Sequence, residues 1–97
     1  MFDHTGQIVR ATAGRDRGGI FCVVGVDRER AMLLLADGKR RKAASPKAKK
    51  PKHVLCLTDS QHSFDHPVVH SLQAGGPVSD RALRRALAAF KEGSTRG

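Results

Sequence analysis

Apolar residues in the first sixty positions come in short runs broken by glycines and charges, the spacing of strands and not of helices. Residues 7–12 alternate as a half-buried strand, with Val9 and Ala11 sharing a face and Gln7 and Arg10 near opposite faces. Residues 20–26 are apolar and β-branched almost throughout, which predicts a central strand covered on both sides. The run Asp27-Arg28-Glu29-Arg30 reads as a polar turn, and residues 32–36 as the next strand. Asp37-Gly38 is the pair favoured in a two-residue type I′ hairpin, so a returning strand is expected over residues 39–43. Residues 53–57 make a fifth. Five short strands with tight turns predict a mainly β fold, a small five-stranded barrel without exposed edges.

The pattern changes after residue 58. Residues 59–78 hold Ser, Gln, His, Gly and two prolines around a brief apolar patch at Val68-Val69, and read as a linker lying over the barrel. Leu83, Ala86, Leu87 and Phe90 then recur at helical spacing. Ser79 is a suitable N-cap, Asp80 suits the first turn, and Gly93 is placed to end the helix. Arg81, Arg84, Arg85 and Lys91 lie opposite the apolar stripe. A helix of about three turns is marginal alone, so it is expected to dock by its Leu/Phe face. The expected division is a barrel over residues 1–58, a linker over 59–78 and a C-terminal amphipathic helix over 79–92.

Charge sharpens this picture. Lys39, Arg40, Arg41, Lys42, Lys47, Lys49, Lys50 and Lys52 fall within one acid-free stretch, in a chain of 97 residues with net charge +9. Such a concentration attracts polyanions, and the phosphate backbone of a nucleic acid is the most abundant of these. No apolar run approaches the roughly 20 residues of a membrane span. Residues 1–4 have neither the basic nor the apolar region of a secretory signal, so a cytoplasmic protein is expected. Cys22 and Cys56 each sit in an apolar run and read as small buried hydrophobes, not nucleophiles.

Gly6-Gln7-Ile8-Val9-Arg10, followed by Ala13-Gly14-Arg15-Asp16-Arg17-Gly18 and an apolar strand, resembles the KOW motif. Leu34-Leu35-Ala36-Asp37-Gly38-Lys39-Arg40-Arg41-Lys42 and Pro51-Lys52-His53-Val54 resemble the remainder of one branch of that family. The branch comprises the archaeal and eukaryotic large-subunit KOW ribosomal proteins and their small bacterial KOW-domain relatives. The resemblance covers residues 6–57, and the closing helix is similar to the end of the bacterial relatives. It implies an SH3-like barrel that binds RNA, with ribosomal RNA of the large subunit as partner, in a translation-linked ribonucleoprotein.

The residues themselves point the same way. Gly14 and Gly18 permit the backbone of a tight loop, from which Arg15 and Arg17 project as forked phosphate ligands. Arg10, the basic strand Lys39, Arg40, Arg41 and Lys42, and an extended arm carrying Lys47, Lys49, Lys50, Lys52 and His53 complete the candidate RNA contacts. The arm, held open by Pro46 and Pro51 and by self-repulsion, is expected to order on meeting RNA. With no Trp or Tyr and four scattered Phe, a base-stacking platform is disfavoured, and recognition of phosphates and shape is expected.

Other chemistries are weaker. His62, His66 and His70 follow Cys56 at intervals that match no zinc finger, and Pro67 disfavours a helix there. Asp59, His62 and Asp65 near Ser60 and Ser63 form no recognisable catalytic order, and the Gly14 loop lacks a phosphate-loop ending. The expectation is a monomer that is not an enzyme, with no cofactor, metal, membrane or small-molecule substrate. The alternatives are a KOW-type protein-interaction module and a non-specific DNA binder.

Overall fold

The apolar runs pair into one antiparallel sheet whose strand order is β4-β3-β2-β1-β5. The computed structural model describes residues 4–58, 64 and 66–96, with backbone alone from 93. Its strands are β1 (Ile8–Ala11), β2 (Ile20–Asp27), β3 (Met32–Ala36), β4 (Lys47–Lys49) and β5 (Val54–Cys56). A 3-10 turn, Pro51–His53, precedes β5, and the helices α1 (Pro67–Gln73) and α2 (Asp80–Arg96) follow.

Strand β2 is central, as its β-branched run predicts, and both faces of the sheet are apolar. On one face Ile8, Cys22 and Ala36 stand in register across β1, β2 and β3. They pack against Val68 and Leu72 of α1 and Leu83, Ala86 and Leu87 of α2. The Leu/Phe stripe of α2 thus docks on its own sheet, with Phe90 partly buried and edge-on to Phe64. Cys22 lies in this core, where burial pushes its thiol up to about 12. Cys56, also expected as a buried hydrophobe, is exposed on the edge strand β5.

The other face buries Val9, Ala11, Phe21, Val23, Leu33 and Leu35, with Val26 and Val54 against them, and among the described residues no helix contributes to it. A bulge at Val24-Gly25 keeps Val23 and Val26, three positions apart, in this same cluster. A flat sheet would leave these residues wet, so the sheet must shield them by curling over itself. Chain lengths agree. β4 and β5 are the two edge strands, yet only Lys50 and the 3-10 turn separate them. Flat edges four spacings apart would lie about 19 Å from one another. Three 3-10 residues and two extended steps span only about 13 Å. One bond crosses the same gap: Lys49 Nζ, on β4, donates to Ala13 O, just past β1, at 2.7 Å. β4 and β5 do not pair, so the sheet is curled but not closed.

Four expectations are corrected. Residues 39–43 form no strand, and β4 begins only at Lys47. Only Gly38 of the Asp37-Gly38 pair has positive φ, so the turn is not type I′. The segment read as a linker carries α1, whose first residue is Pro67. At that position a missing N–H costs nothing. His66 precedes it as N-cap, its Nδ1 accepting from Val68 N at 3.1 Å. Lastly, α2 runs through Gly93 to Arg96, since one glycine inside a helix costs only about 1 kcal/mol. Ser79 does cap it, its Oγ accepting from Ala82 N at 3.1 Å. No helix among the described residues is long and apolar enough to cross a membrane.

Leu83 is fully buried where α2 meets the sheet. Leu83→Ala is expected to cost about 2–5 kcal/mol through a cavity the helix cannot refill, measured by urea unfolding.

Candidate nucleic-acid interface

The β1–β2 connection sorts three consecutive charged residues by exposure. Gly14 and Gly18 take positive φ, +81° and +88°, and the loop closes through Gly18 N to Ala11 O (2.8 Å) and Ala11 N to Gly19 O (3.0 Å). Within it Arg15 and Arg17 point to solvent, while Asp16 between them is buried.

Asp16 receives Arg41 Nη2 at 2.8 Å, tying this loop to the β3–β4 connection. The Arg41 hydrogen bond holds the Asp16 carboxyl below its ordinary value of 3.8 against the opposing effect of burial. The charges of Arg41, Lys49 and Lys47 add to the lowering. The pair is single-ended: Arg41 Nε is buried too and has no partner among the described residues.

The β3–β4 connection is the segment expected to be a basic strand, and carboxylates explain why it is not. Asp37 Oδ1 accepts from both Lys39 N and Arg41 N at 2.9 Å, and the Arg41 carbonyl accepts from Asp37 N and Gly38 N. Asp80, at the start of α2, accepts from Ala43 N at 2.7 Å, and Arg84 Nη1 donates to Gly38 O at 2.6 Å. Side-chain bonds to backbone N–H groups compete with ladder pairing, and here they win. Gly38 is required twice over. Its φ is +78°, and a Cβ there would run into the Asp80 carbonyl.

This arrangement divides the expected contacts. Arg15, Arg17, Lys39, Arg40, Lys42, Lys47, Lys50 and Lys52 are exposed, and no carboxylate engages them among the described residues. Arg41 and Lys49 are instead internal ties. Lys49 is 8% exposed, its ammonium bonded to Ala13 O. His53 is half-buried, with its backbone bonded to Lys50 and Thr12. Arg10 is exposed on β1, opposite Ile20 and Leu55, on the strands and not in the loops. The arm read as ordering on RNA already holds β4 and the 3-10 turn.

Sequence reasoning missed the organisers Asp16, Asp37, Asp80 and Arg84. Asp37 alone carried a local signal, since Asp before Gly commonly bonds the backbone two residues on. The other three act across long stretches of chain. No group of three His, Cys, Asp or Glu residues among those described is placed to hold a metal ion. His62 lies outside the described residues.

Because the Asp16 carboxyl is lowered, its stabilising contribution is complete above its ordinary value and is lost as pH falls through the lowered one. Asp16→Asn is expected to cost about 1–3 kcal/mol at neutral pH. The gap to wild type should shrink in urea melts taken below pH 3.8. At the two glycines, Gly18→Ala meets open space and should cost only the left-handed backbone penalty, about 1–2 kcal/mol. Gly14→Ala also crowds Lys49 Nζ, 3.0 Å from the added Cβ, and should cost more by the same measurement.

No protein-family model matches this chain, and no curated protein matches its sequence.

Proposed function

We propose that this chain is an RNA-binding protein associated with the ribosome, built on a KOW-type SH3-like barrel that the curled sheet represents. The observation that carries the reading is where the acids of the basic quarter are spent. Asp16, Asp37 and Asp80 are all bonded internally, to Arg41 or to backbone N–H groups. The exposed cations around them outnumber these acids and, among the described residues, form no ion pair with a carboxylate, so a net positive field remains. Positively charged loops with no exposed aromatic side chain suit phosphates and the shape of folded RNA better than unstacked bases.

Arg15 and Arg17 act as forked phosphate ligands on a rigid glycine-pinned loop, and Lys39, Arg40 and Lys42 as a second prong. Lys47, Lys50 and Lys52 extend it. None of these roles is catalytic. Protein docking through the Leu83/Leu87/Phe90 face is not favoured, because that face packs against the sheet and α1.

If six to eight of these cations neutralise phosphates, log affinity should fall against log salt with a slope of roughly −4 to −7. Arg15→Ala should make that slope shallower by about 0.7–0.9 without lowering Tm. In lysate fractionated on sucrose gradients, the protein should travel with the large ribosomal subunit at low salt and leave it as salt rises. A wild-type slope shallower than about −2, or sedimentation at the top under both conditions, would overturn the reading. Competition by duplex DNA as effective as duplex RNA would reassign it to non-specific DNA binding.

A further inference from the structure

Helix α2 breaks two local electrostatic rules at once. Arg81 lies in its first turn, where the helix dipole is positive and cations are disfavoured, and Arg84 and Arg85 follow in the second. They also stand at i, i+3 and i+4 to one another, spacings at which like charges repel. The helix offers one natural remedy, an ion pair between Asp80 and Arg84. It is not made. Asp80 spends its carboxylate on Ala43 N, and Arg84 donates to Gly38 O.

Arg81 and Arg85 fare no better. Their partners at i+3 and i+4 are each other, Arg84, Ala88 and Ala89, and no carboxylate bonds either guanidinium among the described residues. Packing fixes which way they point. Leu83, Ala86 and Leu87 are buried against the sheet, so at 100° per residue Arg81 and Arg85 face directly away from it. Both are exposed, one helical turn apart, beside the small exposed residues Ala88 and Ala89. Local inconsistencies of this kind are expected at functional surfaces.

The neighbourhood indicates which function. The bonds from Asp80 and Arg84 join the first turns of α2 to the loop bearing Lys39, Arg40 and Lys42. The Arg41–Asp16 pair joins that loop in turn to Arg15 and Arg17. The basic surface is therefore one band across three elements, with α2 as its far end.

We propose that Arg81 and Arg85, flanked by Arg84, form a second phosphate-binding strip that takes the sugar-phosphate backbone of the same folded RNA. The inference rests on the RNA-binding reading above and extends its footprint from the sheet's loops onto the helix. An RNA backbone along the strip would set negative charge against the three arginines, which Asp80 alone cannot balance.

The test compares wild type, R81A/R85A and R15A/R17A for binding to a fluorescein-labelled RNA hairpin with a duplex stem, across a series of salt concentrations. The expected result for R81A/R85A is weaker binding, with a salt slope shallower by about 1.4–1.8. Its Tm without RNA should be equal to or higher than wild type, because alanine relieves the repulsion and is the better helix former. An R81A/R85A slope equal to wild type, while R15A/R17A responds, would overturn the helix strip and leave the RNA reading standing. A fall in Tm alongside the lost binding would also overturn it, by showing that the arginines support the fold. Failure of wild type to bind the hairpin at all would overturn both.

Discussion

In a chain this basic, carboxylates are scarce, and the architecture turns on where three of them go. Asp16, Asp37 and Asp80 come from a glycine loop, a strand end and a helix start, and all three converge on residues 39–43. Left to itself, a run of Lys-Arg-Arg-Lys repels itself and stays extended. Charge-assisted bonds to its backbone N–H groups and to Arg41 fold it into a defined loop instead. The acids bind the inner side of the loop, mostly through the main chain. The side chains of Lys39, Arg40 and Lys42 stay outward as a result.

The curled sheet makes this convergence possible. A five-stranded sheet with a helix layer on one side only must hide its second apolar face by bending. Bending brings the β4 edge towards the start of the sheet, and Lys49 reaches across to the Ala13 carbonyl. A lysine that counts as surface charge in the sequence thereby becomes a cross-tie. Its ammonium adds to the field that keeps Asp16 ionised, and Gly14 leaves the room it needs. Core packing and the polar loops form a single mechanical system.

Legibility in the sequence followed the range of the interaction. The strand β3 and the central placement of β2 were readable because apolar runs encode them locally. So were the buried stripe of α2 and its Ser79 cap, and the need for glycine at positions 14 and 18. The sheet's open edge, by contrast, depends on how far the curl proceeds, which no local pattern states. Helix α1 was hidden because Pro67 reads equally as a stop or a start, and the N-cap role of His66 decides between them. The basic segment was read as a strand because Asp37-Gly38 signals a hairpin locally, whereas Asp80, which bonds Ala43 from 37 positions downstream, leaves no local mark. Exposure of the cations was legible from composition. The diversion of Arg41 and Lys49 inward was not, since a positive side chain carries no mark of where its partner will be.

The distance in sequence between Ala43 and Asp80 has a temporal meaning during synthesis. All five strands leave the ribosome before α2 does, so the sheet can pair while residues 38–43 still lack two of their ties. The cationic loop reaches its final shape only when the last element docks. Until then a nascent chain carries its most densely charged segment in a slack form. Completion of the helix gives that segment its fixed geometry.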